Sequence, residues 1–60
     1  MGKVINVNGY RAFIGTMKIR PEGEPEEEIY GQWLYRPDTG CWYCGCHTYT
    51  WSMCTILSVE

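Results

Sequence analysis

Between residues 41 and 54 the chain carries all four of its cysteines and its one histidine, in the run Cys41-Trp42-Tyr43-Cys44-Gly45-Cys46-His47 followed by Cys54. Residues of these types could do two kinds of chemistry. Thiolates and a neutral imidazole are tetrahedral zinc ligands, and the two-residue gap between Cys41 and Cys44 with a glycine after it can turn both sulfurs toward one ion. Cys54 and either Cys46 or His47 would complete the set. Structural zinc sites, however, are built from two closely spaced pairs, and the chain has one. The second chemistry is a thiolate activated by a histidine. Cys46 and His47 are neighbours, which on a strand face opposite ways, and no other histidine is available. Carboxylate catalysis has no better basis, because the acids cluster in a loop where no burial would raise a pKa. The expectation is a protein that is not an enzyme.

The elements that must position these residues read as strands. Asn8-Gly9 stands between two β-rich runs, and Asn-Gly is the preferred centre of a type I′ hairpin turn. The spacing predicts a hairpin over about residues 3–19, with Val7 opposite Tyr10, Ile5 opposite Ala12 and Lys3 opposite Ile14 on one face. Val4 and Asn6 then oppose Phe13 and Arg11 on the other. The first face is nearly all apolar and is the expected core. Apolar residues next fall at Ile14, Met17 and Ile19, a change of parity that a bulge or bend at Gly15 would repair.

Pro21 and Pro25 end that strand and hold the following acids out of a helix or ladder. The chain is extended again from Ile29. Trp33-Leu34-Tyr35 lead into Arg36-Pro37-Asp38-Thr39-Gly40, where proline presets a turn and glycine can take the left-handed position that closes it. A loop of this length sets Tyr35 opposite Trp42, Leu34 opposite Tyr43 and Trp33 opposite Cys44. Trp33, Tyr35 and Trp42 then share a face. The same turn speaks against zinc, since Cys41 and Cys44 on a returning strand point to opposite faces, and Trp42-Tyr43 between them favours a strand. His47, Tyr49, Trp51 and Met53 alternate in a further strand that could contain a turn, and Thr55, Leu57 and Val59 form a last one, shifted in phase after Met53 and Cys54. No window holds a helical period. The expected fold is all-β: one domain over residues 1–60, an antiparallel meander of about five strands curled into a small barrel or highly twisted sheet.

A chain of 60 residues buries only about 60% of the surface its unfolded form exposes. Such a core supplies ~3–5 kcal/mol unless a disulfide, a metal or self-association adds to it. The formal charge of −2 hides an asymmetry, because Glu22, Glu24, Glu26, Glu27 and Glu28 all lie in an acidic loop at about residues 21–28. Outside it, five bases face only Asp38 and Glu60. A solvated loop that keeps the protein soluble accounts for this; docking on a basic partner is the sharper alternative. The acidic balance disfavours nucleic acid. With no charged start leading into an apolar run, and no apolar stretch near the ~20 residues that span a bilayer, a soluble cytoplasmic protein without membrane contact is expected, its cysteines thiols or metal ligands. In an exported protein four cysteines would allow three disulfide pairings, among which the sequence does not choose.

Nine aromatic residues are more than so small a core can enclose. The surplus predicts an exposed aromatic binding face made of Trp33, Tyr35, Trp42, Tyr49 and Trp51 with Arg36, residue types that dominate interface hot spots. Cross-strand pairing that stiffens the sheet is the alternative use. The segments Phe13-Ile14-Gly15-Thr16-Met17, Gly31 to Thr39, Trp42-Tyr43-Cys44 and Cys54-Thr55-Ile56 resemble short uncharacterised proteins of Gram-positive bacteria and their phages. The resemblance spans residues 13–57, carries no site residues, and implies an intracellular accessory protein encoded by a phage. The leading expectation is therefore a non-catalytic binding module that inhibits a bacterial defence protein of the host. A second form is a homo-oligomer that sequesters a nucleotide signal between aromatic rings and arginines. The alternative from another class is a zinc-stabilised module built on Cys41, Cys44, Cys54 and Cys46 or His47.

Overall fold

A computed structural model describes residues 2–60 of the chain. Among them, six antiparallel strands form one sheet: β1 (Ile5–Val7), β2 (Tyr10–Ile19), β3 (Glu27–Arg36), β4 (Cys41–Cys44), β5 (His47–Thr50) and β6 (Cys54–Val59). A 3-10 turn, Trp51–Met53, separates β5 from β6. The strands run in the order β1-β2-β3-β4-β5, and β6 returns to pair with β2. The all-β meander read from the sequence is the architecture, as an open sheet rather than a closed barrel. Among the described residues no helix is long and apolar enough to cross a membrane.

Turn chemistry sets the register. Asn8 and Gly9 both have positive φ, 54° and 86°, as a type I′ turn requires. Val7 accordingly pairs with Tyr10, Asn6 with Arg11 and Ile5 with Ala12. Gly40 takes φ 69° and its amide donates to the Arg36 carbonyl at 2.8 Å, which brings Tyr35 opposite Trp42 and Leu34 opposite Tyr43. A third tight turn, at Gly45-Cys46, opens on a glycine with φ 61° and pairs Cys44 with His47.

The face expected to be the core is the exposed one. Ile5, Val7, Tyr10 and Ile14 are open to solvent, whereas Phe13, Met17 and Ile19 on the opposite face of β2 are buried with Trp33 and Trp42. The deciding factor is the inner parity of β2, which runs unbroken through Phe13, Gly15, Met17 and Ile19. No bend is needed at Gly15, because Ile14 lies on the outer side. The irregularity sits instead where β6 meets β2: Thr16 pairs with Ser58 but Met17 with Ile56, leaving Leu57 as the extra residue. The acidic loop is also shorter than expected. β3 begins at Glu27, so that Glu27 and Glu28 pair with Ile19 and Lys18 in the ladder. Glu26 is held just before it by Lys18 at 3.4 Å and Arg20 at 2.6 Å, and the Arg20 hydrogen bond, ahead of Lys18, keeps its carboxyl below the ordinary range.

Gly15 and Gly31 face each other across β2 and β3 on the core side. A Cβ on Gly15 would lie 2.0 Å from the Ser58 carbonyl oxygen, so β6 backbone occupies the place of a side chain. At Gly31 the nearest atom to a Cβ is the Cys44 sulfur at 2.9 Å, the movable end of a side chain. The two glycines thus form a crease over which β4 and β6 fold inward. Gly15→Ala is expected to cost about 3 kcal/mol, the upper range for overpacking, and Gly31→Ala about 1 kcal/mol. Urea unfolding of both variants checks this; equal midpoints would contradict the crease.

Candidate functional site

Side chains suited to recognition flank the Arg36–Gly40 turn. The Trp51 amide donates to the Gly40 carbonyl at 3.0 Å, and the 3-10 turn that follows leaves the Trp51 ring 61% exposed. Arg36 donates to Asp38 through Nε at 3.3 Å and Nη2 at 3.0 Å while its guanidinium lies 6.0 Å from the Tyr43 ring centroid. The Asp38 hydrogen bond raises its pKa further, so the cation is permanent. Tyr43 is itself fixed through its hydroxyl, 3.0 Å from that of Thr39. Gly9 stands close to Pro37, which places the first turn against this one.

Arg11, next along from that first turn, is the cross-strand partner of Tyr35. Its guanidinium lies 4.6 Å from the Tyr35 ring centroid and 5.8 Å from that of Trp42. Among the described residues it forms no ion pair. The cation is therefore held by π faces, leaving its in-plane N–H groups for an external acceptor. Charge patterning around Arg11 carries no hint of this in the sequence; the signal lies in the register, which sets Arg11 beside Tyr35.

The expected aromatic face is divided by the fold. Trp33 and Trp42 are core residues, 2% and 5% exposed, and form no part of an outer face. Both lie on the inner side of the sheet, where Trp42 packs edge-on to Phe13 at 5.5 Å and tilted to Tyr35 at 5.2 Å. Tyr49 is half-buried against Trp33, and burial, followed by the Glu27 carboxylate, pushes its phenol pKa up. Of the six residues, Arg36 and Trp51 are exposed and Tyr35 is half-exposed. Of these, Tyr35 carries Arg11 on the inner side, whereas Arg36 lies over Tyr43 on the outer side.

The cysteine cluster does not converge. Cys41 and Cys44 occupy the two ends of β4 and point to opposite faces, Cys41 donating to the Thr39 carbonyl and Cys44 packing on the core. Cys46 lies exposed in the turn, and His47 stacks beside Tyr49. The alternative zinc set of Cys41, Cys44, Cys46, His47 and Cys54 is thus not assembled. Among the described residues no three His, Cys, Asp or Glu side chains gather at one point. Cys54 is half-buried, donates to the Thr50 carbonyl at 3.5 Å, and has its thiol pushed up to about 11, by burial first and then by Cys41.

Compared with known proteins, the chain matches no family model, no curated sequence and no solved structure.

The thiols differ in reactivity because the thiolate is the nucleophile. Iodoacetamide near neutral pH should modify exposed Cys46 first and Cys54 last, as peptide mass mapping would show; early loss of the Cys54 thiol would contradict its burial. A thiol whose pKa is raised on folding adds stability below its unfolded pKa and loses it as pH climbs through the folded value. Thermal stability should therefore decline as pH approaches about 11, and this component of the decline should be absent in Cys54→Ala.

Proposed function

We propose that this protein is a non-catalytic binding module whose contact surface is the end of the sheet around the Arg36–Gly40 turn. The observation that carries this reading is the Arg11 guanidinium, laid 4.6 Å from the Tyr35 ring centroid without an ion pair among the described residues; Arg36, over Tyr43 on the other side of the sheet, and the exposed Trp51 ring flank the same turn. A cation held on a ring has lost much of its rotamer freedom before binding, so ordering it on a partner costs less. Tryptophan, tyrosine and arginine are also the residues that most often anchor interfaces. Because Arg11 pairs with no acid among the described residues, the complementary group is an anion, a carboxylate on a protein or a phosphate.

The resemblance to short proteins of Gram-positive bacteria and phages gives this reading its biological form. In it the protein is a phage-encoded inhibitor that covers the acidic surface of a bacterial defence protein in the host cytoplasm. The exposed Trp51 ring favours a second form, in which a nucleotide signal stacks its base on Trp51 and sets its phosphate on an arginine.

Affinity capture from host lysate, with calorimetry against a panel of nucleotides, separates these forms. Arg11→Ala and Trp51→Ala are each expected to weaken capture by about tenfold or more, the ~1.4 kcal/mol of a modest hot spot, with the fold unchanged by circular dichroism. Capture equal to that of the parent in both variants would sink the proposed surface. Absence of heat with every nucleotide would dispose of the second form.

A further inference from the structure

Among the described residues, no layer is packed on the outer face of the sheet, opposite the core. Strand register places Ile5, Ala12, Leu34 and Tyr43 side by side across β1, β2, β3 and β4, with Ile14 one step along on the same side. Ile5, Ile14 and Leu34 are 58%, 42% and 42% exposed. Together they floor a depression of about 560 Å³. Beside it Val7 and Tyr30, each 60% exposed, stand proud of the sheet. An apolar hollow and protruding apolar side chains thus share one face.

We propose that a second copy of this chain covers this face, sheet against sheet, in a two-fold dimer. A two-fold interface uses the same patch twice, so it needs both a hollow and something to fill it on that patch. This face supplies both. Charge points the same way. Both signs of charge lie on the face: Lys18 pairs across the ladder with Glu28, and Lys3 and Glu60 line the hollow, the Glu60 carboxylate accepting from the Tyr30 hydroxyl. A strongly charged partner would find no field of one sign here, whereas mixed charge suits self-pairing. Size is adequate as well. A standard interface removes about 800 Å² from each partner, roughly a fifth of the 4308 Å² that this chain exposes, and the molecule measures 33 × 27 Å in its two long directions. Finally, the core holds five buried hydrophobic residues among those described, and a domain packed in a single layer gains its second layer from the copy.

The dimer face meets the proposed contact surface at Tyr43, over which Arg36 lies, but Arg11 is on the opposite side of the sheet, so Arg11→Ala and Leu34→Glu test the two proposals separately. Sedimentation equilibrium of the full chain over micromolar to millimolar concentration should show twice the 7.0 kDa chain mass, falling toward the monomer on dilution. Leu34→Glu and Ile14→Lys, made separately, replace side chains already open in the monomer and should weaken dimerisation by about a hundredfold with circular dichroism unchanged. Trp51→Ala should leave the dimer intact. A monomer at every concentration, or a dimer that survives both charge substitutions, overturns the proposal. So does a monomer whose capture of a lysate protein is lost on Leu34→Glu, since another chain would then be the occupant.

Discussion

The structure depends on a place where two side chains are missing. Gly15 and Gly31 oppose each other on the inner face of β2 and β3, and their missing Cβ atoms let the β6 backbone and the Cys44 side chain close over the sheet. A sheet with ordinary residues there would be held open by them. β6 could not then reach β2, and Cys54, Met53 and Val59 would be lost from the margin of the core. Glycine in a strand interior usually weakens it, through entropy and absent packing. Here the weakness is offset by the long-range closure that it permits, which in a chain of 60 residues is the main route to an enclosed core.

That closure divides the aromatic residues by function. Trp33 and Trp42 sit under the fold with Phe13, and their rings stabilise it by burial and by edge and tilted contacts. The Trp33 indole N–H is buried without a hydrogen-bond partner among the described residues, a cost of about 1–3 kcal/mol that the ring's packing must outweigh. Tyr35 lies at the boundary and lends its outer surface to Arg11. Trp51 escapes burial because the chain leaves β5 in a 3-10 turn just where the alternating pattern would have continued the strand. In the proposed reading recognition is thereby confined to one end of the sheet, with the buried rings as a stiff support beneath it.

The outer face follows a different logic. Ile5, Ala12, Ile14 and Leu34 at its centre are as apolar as residues inside, but they lie on the side to which the sheet does not curl. In a larger domain a helix or second sheet would be laid over them. The proposed pairing of two such faces would let a short sequence build a two-layer core from one layer, with the Arg11 end left open for a partner.

Local grammar determined much of this protein by itself: the Asn8-Gly9 turn, the Pro37 to Gly40 turn, the pairs they impose and the all-β class, because turn type and strand parity act over a few residues. The same rules suffice to put Cys41 and Cys44 on opposite faces. Which face of the first hairpin is buried was not legible there. Ile5, Val7, Ala12 and Ile14 are more apolar than Val4, Asn6, Arg11 and Phe13, and a local count chooses the wrong side. Tertiary structure decided the matter through Phe13, Met17 and Ile19, which share one parity and are covered by strands distant in the chain. β3 supplies Trp33 opposite Phe13, and β6, at the far end of the sequence, sets Ile56 opposite Met17 and Cys54 opposite Ile19. Burial is a property of the closed sheet, and no segment carries it alone.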